Sequence, residues 1–265
     1  MKQQPIHDRK TALVTGASKG IGLELSRLLA ADGHGLILVA RNIDGLNRVA
    51  DELKVHFNVR VRVIPKDLAI RVAAEELARE IEEESIDILI NNAGVGFAGP
   101  FAETDAAQIE RMMQLNMVAM TALTRRLLPG MLARGRGRIL NVASLGGFQP
   151  GGPGMAVYYA TKAYVLSFSR ALAAELRGTG VTVTALAPGP VNTEFEDKAG
   201  LQKTRLLHWL RPMEAHTVAQ AAYRGMQRGR PVIIPGLIAK VLSIAGGLPP
   251  HAIALAVNRW LLSRS

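Results

Sequence analysis

The most informative stretch of the sequence reads Thr15-Gly16-Ala17-Ser18-Lys19-Gly20-Ile21-Gly22. It follows an apolar run at 11–15 and precedes a segment with helical periodicity. Glycines at this spacing permit a tight turn and a close approach of a ligand to the backbone, and the next helix begins with unpaired N–H groups. We therefore predict a cradle for the pyrophosphate of a dinucleotide, although a glycine-rich turn without a ligand remains an alternative.

Around this turn, short β-rich runs alternate with longer helical segments. Strands are predicted at 11–15, 35–40, 59–64, 87–91, 138–143, 181–187 and 231–235, and helices at 20–32, 44–57, 72–84, 106–128, 156–177 and 215–227. Runs such as Leu36-Ile37-Leu38-Val39 are apolar at successive positions, which indicates strands that are buried on both faces. The pattern predicts an α/β, Rossmann-type doubly wound parallel sheet of about seven strands, with helices on both faces.

No linker rich in Pro, Gly or Ser divides the chain, so we predict one domain over residues 1–265, with its core at about 9–235. Residues 236–265 are predicted to form a C-terminal extension of two short apolar helices around 246–250. This extension can cover the substrate site, enlarge a subunit interface, lie on a membrane surface or simply pack on the core. The sequence leaves these alternatives open.

Composition narrows the function classes. The 265 residues include no cysteine, which excludes disulfides, thiolate catalysis and Cys-based metal sites, and we predict no metal site. The formal net charge is +10, but the basic residues are spread along the chain and aromatic residues make up only 5%, so we expect no nucleic-acid partner. The polar N-terminus and the lack of a membrane-spanning apolar run lead us to expect a cytoplasmic protein.

The residues after the second predicted strand bear on the choice of cofactor. A site for NAD(H) places an acidic residue here for the ribose 2′-hydroxyl, whereas this chain has Ala40-Arg41-Asn42. A guanidinium can pair with a 2′-phosphate, and Ser18 and Lys19 in the glycine turn can reach the same group. We predict a preference for NADP(H) over NAD(H); the alternative for Arg41 is a solvated surface arginine.

Three side chains further along the chain can carry proton chemistry. Tyr158 and Lys162 are four residues apart in a predicted helix, so they share one face, and Ser144 follows the fifth predicted strand. A phenol can give or take a proton, a nearby ammonium lowers the pKa of the phenol, and a hydroxyl can hydrogen-bond a carbonyl oxygen. The pattern Tyr-x-x-x-Lys often occurs by chance, so it indicates a catalytic pair only when other motifs of the chain support it.

Taken together, the motifs resemble those of the short-chain dehydrogenase/reductase family in order and spacing. They are the glycine turn at 15–22, Asn91-Asn92-Ala93-Gly94, Asn116, Ser144, Tyr158-x-x-x-Lys162 and Pro188-Gly189-Pro190, and the resemblance covers about residues 9–235. It implies a Rossmann fold with seven parallel strands and NAD(P)-linked oxidoreduction of a carbonyl or an alcohol. The alternative is a non-catalytic NADP-binding sensor or scaffold of the same fold.

The resemblance also implies a role for each catalytic residue. Tyr158 is the general acid in reduction and the base in oxidation, while Lys162 lowers the pKa of this phenol and hydrogen-bonds the nicotinamide ribose. Ser144 holds the substrate oxygen, and Asn116, in the long fourth helix, holds a water that relays protons to Lys162. A loop cap is the alternative for Ser144, and a hydrogen bond to backbone is the alternative for Asn116.

Further cofactor contacts are implied by the same resemblance. Asp67 is similar to the aspartate that contacts the adenine amino group, although a turn-capping role fits nearly as well, and Thr193 lies where the family contacts the carboxamide. The full set of expected cofactor residues is Gly16, Ser18, Lys19, Gly20, Ile21, Gly22, Arg41, Asp67, Asn92, Ala93, Gly94, Tyr158, Lys162, Pro188, Gly189, Val191 and Thr193.

The substrate pocket is predicted from segments 95–97 and 145–149, Met155 and the chain after Thr193. These segments are mostly apolar and hold no convergent cation, so we expect a small-molecule substrate, namely an uncharged or largely apolar ketone, aldehyde or alcohol. Residues 195–209 resemble the mobile lid of the family. Side chains that can close over the substrate or pack on the body are Leu206, Leu207, Trp209 and Leu210. By analogy with the family, we expect a homodimer or homotetramer.

Overall fold

The computed structural model describes residues 10–202, 204–248 and 250–263. The strands are β1 (Thr11–Thr15), β2 (Gly35–Ala40), β3 (Val61–Pro65), β4 (Ile86–Asn91), β5 (Gly137–Val142), β6 (Val181–Leu186), β7 (Val191–Asn192), β8 (Met213–Glu214) and β9 (Val232–Ile233). The helices are α1 (Gly20–Ala31), α2 (Ile43–Phe57), α3 (Ala73–Glu80), α4 (Ala106–Met113), α5 (Met120–Ala133), α6 (Ala156–Glu175), α7 (Glu194–Lys198), α8 (Arg205–Trp209), α9 (Ala215–Gln227), α10 (Leu237–Ala245) and α11 (His251–Leu262).

One seven-stranded sheet, in the order β3-β2-β1-β4-β5-β6-β9 with every pair parallel, forms the body of the protein. Helices cover both of its faces, because successive residues of a strand point to opposite sides. In β1, Val14 packs into a core with α1, α2 and α9, whereas Leu13 packs into a second core with α3 and α5. The predicted doubly wound sheet with two covered faces is confirmed.

The strand order reverses between β1 and β4, which opens a crevice at the carboxyl ends of these strands. Thr15 fixes the two ends together: its hydroxyl donates to the carbonyl of Ile90 at 3.1 Å and accepts from the backbone N–H groups of Asn92 and Ala93. Beside it, the Asn91 amide donates to Asn141 of β5 at 2.9 Å within the buried centre of the sheet. Ligands of this fold class bind in such a crevice.

Several predicted elements differ from the structure. The helix predicted at 72–84 spans Ala73–Glu80, and the strand predicted at 59–64 spans Val61–Pro65. The helix predicted at 106–128 is α4, then a π-helical stretch at 114–119, then α5. Such a stretch inserts a residue into the helix, which a 3.6-residue pattern does not reveal. The last strand shortens to Val232–Ile233, because Pro231 and Pro235 flank it and a proline has no N–H for the sheet.

The C-terminal extension contains the two predicted short helices, α10 and α11. Across the described part of the chain, no helix combines the length and the apolar character that crossing a membrane requires.

Candidate active site

Most of the predicted site residues line a single cleft of about 1390 Å³ along the carboxyl edge of the sheet. Those that line it are Gly16, Ser18, Lys19, Gly20, Ile21, Arg41, Asp67, Asn92, Ala93, Gly94, Ser144, Tyr158, Lys162, Pro188, Gly189, Val191 and Thr193. Gly22 and Asn116 are buried and do not line the cleft. Among the described residues, no group of three His, Cys, Asp or Glu side chains is arranged to hold a metal ion.

The glycine turn has the backbone shape that its sequence predicts. Gly16 and Gly20 have φ angles of +66° and +56°, in the left-handed region that favours glycine. The side-chain amide of Asn92 donates to the carbonyls of Thr15 and Gly16 at 3.0 and 3.1 Å, which ties the turn to the end of β4. The turn leads into the amino end of α1, whose N–H groups and dipole suit a phosphate. This geometry fits the pyrophosphate of a dinucleotide.

We expect Gly22→Ala to destabilise the protein and to weaken dinucleotide binding. A Cβ at this position would lie 2.3 Å from the carbonyl oxygen of Gly16 and 2.5 Å from the amide of Asn92, so the turn would have to open. Overpacking of this kind costs about 1–3 kcal/mol, which a denaturant titration would measure. Gly35→Ala is the control, since its Cβ would have no neighbour closer than 3.8 Å. Equal stability of the two variants would contradict the expectation.

The far end of the cleft carries positive charge. Arg41 follows β2, lines the cleft and is exposed, and it forms no hydrogen bond or ion pair with the residues that the structure describes. Arg48, on α2, lines the same region. Arg48 was not among the residues predicted from the sequence, and it lies on the helix that follows Arg41. Lys19, also expected here, forms an ion pair with Glu194.

Both carboxylate oxygens of Asp67 accept hydrogen bonds from other residues of the protein. One oxygen accepts from the backbone N–H of Ala69 at 3.0 Å, and the other accepts from the Arg111 guanidinium at 2.8 Å. Burial acts to raise the pKa of Asp67, but these hydrogen bonds and the charges of Arg111 and Arg41 together lower it. The turn-capping geometry is therefore present, and a contact with adenine stays a prediction.

Tyr158, Lys162 and Ser144 come together near the middle of the cleft. Tyr158 and Lys162 are both buried on α6, and the Lys162 ammonium lies 5.7 Å from the centre of the Tyr158 ring. That ammonium donates to the carbonyl of Val142 at 2.8 Å. The hydroxyl of Ser144 accepts from the backbone N–H of Gly146 at 3.2 Å, so Ser144 caps the turn that follows β5.

The electrostatics of this group differ from the expectation that Lys162 lowers the pKa of Tyr158. Burial raises the pKa of Tyr158 well above its ordinary value, the hydrogen bond from Ser144 opposes this, and the charges of Tyr159 and Glu196 add to the increase. Burial also lowers the pKa of Lys162 to about 8. The expected lowering is absent because removal from water outweighs the other effects.

Asn116 lies in the π-helical stretch and is held by backbone and side-chain partners. Its side-chain oxygen accepts from the N–H of Val95, and its amide donates to the carbonyl of Val95 and to the hydroxyl of Thr161, at 2.9 to 3.1 Å. The alternative interpretation, hydrogen bonds to backbone, describes this geometry. A water relay from Asn116 to Lys162 stays a prediction.

A buried carboxylate that the sequence analysis missed organises the wall opposite Tyr158. Glu196 accepts from the N–H of Val191 and from the hydroxyl of Thr193, both at 2.9 Å. The Phe195 ring packs against Tyr158 with 5.6 Å between ring centres. Glu196 therefore fixes the hydroxyl of Thr193, the residue expected at a carboxamide. Glu196 is one of three acidic residues in the first turn of α7, and nothing in the sequence distinguishes it as the buried one.

The remaining part of the cleft is the apolar region expected for the substrate. Its walls come from both the core and the C-terminal extension. Apolar side chains that line it are Val95, Phe97, Leu145, Met155, Leu201, Leu206, Leu207, Leu210, Leu242, Leu248, Ile253, Val257 and Leu261. Trp209 does not line it and packs edge-on against Trp260 with 5.5 Å between ring centres. The leucines expected in the lid thus face the cleft, whereas Trp209 is exposed and packs on α11 of the extension.

Two polar residues of the extension and its neighbourhood hold this arrangement together. The side-chain amide of Gln149 donates to the carbonyl of Leu242 at 3.0 Å, and that of Asn258 donates to the carbonyl of Gly151 at 2.7 Å. These bonds attach α10 and α11 to the core along the cleft that Tyr158 and Lys162 also line. Four roles were considered for the extension. The position of α10 and α11 along the cleft matches one of them, a cover over the expected substrate site.

Comparisons with known proteins identify the family of this chain. A family model described as short chain dehydrogenase matches residues 10–204, more than half of the chain. A ketoacyl reductase of Nostoc sp. is 37% identical over 185 residues, which cover 69% of this chain and 64% of that protein. The match thus spans less than two thirds of the length of the Nostoc protein.

Solved structures share both the fold and the sequence. A short-chain dehydrogenase from Sphingobium yanoikuyae in complex with NADPH has a TM-score of 0.81 and 36% identity, with 89% of this chain and 92% of that chain covered. A bulky-bulky ketone specific alcohol dehydrogenase from Comamonas testosteroni has a TM-score of 0.76 and 35% identity, with 86% of each chain covered. On the evidence of its sheet, its cleft and these matches, the chain belongs to the short chain dehydrogenase family of oxidoreductases.

Proposed function

We propose that this protein is an NADPH-dependent reductase of a ketone or an aldehyde, and that the reaction is reversible. The observation that carries the proposal is the meeting of Tyr158, Lys162 and Ser144 in the same cleft as a glycine turn suited to a pyrophosphate. Two features suit NADPH. The close-packed glycine turn can hold its pyrophosphate, and Arg41, which is exposed and lines the same cleft, can hold its 2′-phosphate. Retention of both Tyr158 and Lys162 argues against the non-catalytic alternative.

Tyr158 is the proton donor in the proposed reaction. NADPH, held by the glycine turn and Arg41, would supply the hydride for the carbonyl carbon. The carbonyl oxygen, which gains negative charge, takes the phenolic proton of Tyr158 and accepts a hydrogen bond from Ser144. A buried phenol with a raised pKa remains protonated and ready to donate at neutral pH. In this scheme the positive charge of Lys162 stabilises the phenolate that remains.

The preference for NADP(H) over NAD(H) is supported by charge. Arg41 and Arg48 line the end of the cleft beyond the glycine turn, where an acidic residue would suit an unmodified ribose. Two arginines can form charge-assisted hydrogen bonds with a 2′-phosphate. The structural relative from Sphingobium yanoikuyae, which was solved in complex with NADPH, is consistent with this preference.

The substrate is proposed to be an uncharged or largely apolar carbonyl compound of some bulk. Apolar side chains dominate the substrate region, and its polar residues Gln149 and Asn258 are engaged with backbone carbonyls. A relative named for bulky-bulky ketones and another named as a ketoacyl reductase support a ketone in place of a small polar aldehyde.

The decisive experiment measures the loss of NADPH absorbance with a panel of ketones and aldehydes that increase in apolar bulk. We expect turnover to rise along this series because a larger apolar substrate buries more of the cleft wall. The alcohols that correspond to these ketones and aldehydes, tested with NADP, measure oxidation in the reverse direction. No turnover in either direction across the panel would overturn the proposal and favour a sensor or scaffold.

A pH profile tests the role of Lys162. Burial lowers the pKa of Lys162 to about 8, so this side chain loses its positive charge as the pH rises through that value. Tyr158 stays protonated in the same range because its pKa is raised. We expect kcat/KM for reduction to be constant below pH about 8 and to fall above it. Lys162→Arg should remove the fall, because an arginine keeps its charge. A flat wild-type profile would contradict this role.

A homodimer or homotetramer is proposed through the surface formed by α5 and α6. Exposed apolar residues on or beside these helices include Val118, Leu132 and Tyr164, and the Tyr164 hydroxyl pairs with Thr121 at 2.9 Å between the two helices. Covering such side chains favours association. Light scattering of the purified protein gives the assembly directly.

A further inference from the structure

The outer surface of the C-terminal extension is apolar where it faces water. Leu237, Ile238, Val241 and Ile244 recur along one side of α10, and each is at least 59% exposed. Ile253 of α11, which also lines the rim of the cleft, is 63% exposed. We call these five residues the extension face. A surface of this kind marks a site of interaction, because isolated soluble proteins rarely leave large apolar patches uncovered.

The charge around the extension face favours an anionic partner. The sequence contains no Asp or Glu after Glu214, and several basic residues follow that position. Lys240 on α10 and Arg259 on α11 are both exposed. The whole chain carries a formal net charge of +10, so a second copy would bring like charge to the same surface. An anionic surface would gain favourable electrostatic energy in addition to apolar burial.

Aromatic and basic side chains border the extension in an arrangement suited to a lipid interface. Trp209 and Trp260 pack edge-on, and both are exposed. The Arg205 guanidinium lies 5.3 Å from the centre of the Trp260 ring. Tryptophan favours the headgroup region of a bilayer, and arginine can place its charge among the lipid phosphates while its stem covers apolar surface.

The extension also connects this outer surface with the substrate region. Leu248 and Val257 line the cleft and are nevertheless 59% and 46% exposed, so the rim of the cleft is apolar and open. An apolar rim beside an apolar outer face would let a compound pass from a lipid phase to the cleft without crossing water. This route rests on the proposed function, whereas the surface contact does not.

We propose that the extension face docks on the surface of an anionic lipid bilayer, with α10 and α11 lying in the interfacial plane. Interfacial helices bind through buried apolar area together with attraction between basic residues and anionic lipids. The short lengths of α10 and α11 suit a contact with one leaflet. The expected ligand is therefore a bilayer surface, and the cleft takes its apolar carbonyl substrate from that bilayer.

Vesicle flotation of the full-length protein tests the docking. The vesicles are phosphatidylcholine alone or phosphatidylcholine mixed with phosphatidylglycerol. We expect the wild type to float with the anionic vesicles, to float less with neutral ones, and to be released in part by salt. The double variant Val241→Glu/Ile244→Glu should lower the partition coefficient on anionic vesicles at least about tenfold, because two charges enter the apolar contact.

The control variant is Val55→Glu, which places the same charge at an exposed valine of α2, outside the extension. It should float like the wild type. Light scattering and turnover of a water-soluble ketone accompany each variant, since Val241 and Ile244 do not line the cleft. Wild type that fails to float with anionic vesicles would overturn the proposal. A double variant that dissociates into smaller assemblies yet still floats would assign the extension face to a second copy of the chain.

Discussion

Tyr158→Phe is expected to lower kcat for carbonyl reduction about 10³-fold, since general acid catalysis contributes 10²- to 10⁴-fold. The variant removes one oxygen atom from a buried ring that packs against Phe195. The ring and its packing remain, so the folded state and the cofactor site should survive. Stopped-flow absorbance of NADPH, together with fluorescence titration of NADPH binding, separates a loss of chemistry from a loss of binding.

Tyr159→Phe is the matched control for this experiment. Tyr159 is the next residue on α6, is equally buried, and has a pKa raised by burial to about 12. Its ring packs against Gly146 and Gly152, whereas the ring of Tyr158 packs against Phe195. We expect kcat of this variant to stay within a fewfold of the wild type. Similar losses in both variants would mean that the two phenols act through the packing of α6, and Tyr158 would lose its assignment as the proton donor.

Arg41→Ser is expected to raise the KM for NADPH about 10- to 100-fold while leaving the KM for NADH nearly unchanged. A hydrogen bond to a charged group contributes about 1.5–3 kcal/mol, and 1.4 kcal/mol is a tenfold change in affinity. Only NADPH carries the 2′-phosphate that Arg41 is proposed to bind. Arg41→Ser/Arg48→Ser should extend the loss, because both arginines line the same end of the cleft.

Arg228→Ser provides the control for the loss of a positive charge. Arg228 is exposed at the end of α9 and does not line the cleft, so its removal should change neither KM. Steady-state kinetics with both cofactors give the comparison. Equal increases in the KM values for NADH and NADPH in Arg41→Ser would place the guanidinium on a shared part of the dinucleotide, and no increase would identify a solvated arginine.

Much of the fold could be predicted because it follows from local pattern. For the apolar run of β2 and for the glycine turn after β1, a few consecutive residues are enough to predict the conformation. The predicted bounds of β2 and α9 agree with the structure to the residue. The residues expected in the cleft also followed from position, since the carboxyl ends of parallel strands meet at one edge.

The features that escaped prediction depend on residues distant in the sequence. Glu196 is buried because Val191 and Thr193 fold back onto it, and the π-helical stretch brings Asn116 to Val95. Asp67 owes its lowered pKa in large part to Arg111, which is 44 positions away in the sequence. Periodicity and spacing describe neighbours along the chain and contain no information about such pairs.

By itself, the sequence determined the sheet, the shape of the glycine turn and the placement of Tyr158 and Lys162 on one helix, because glycine conformations, strand burial and helical spacing are properties of short segments. Tertiary structure alone decided the electrostatics and the shape of the site. Burial in the folded protein raises the pKa of Tyr158 and lowers that of Lys162, against the expectation drawn from their charges. The position of the extension over the cleft likewise depends on contacts such as Asn258 with Gly151, which exist only once the chain has packed.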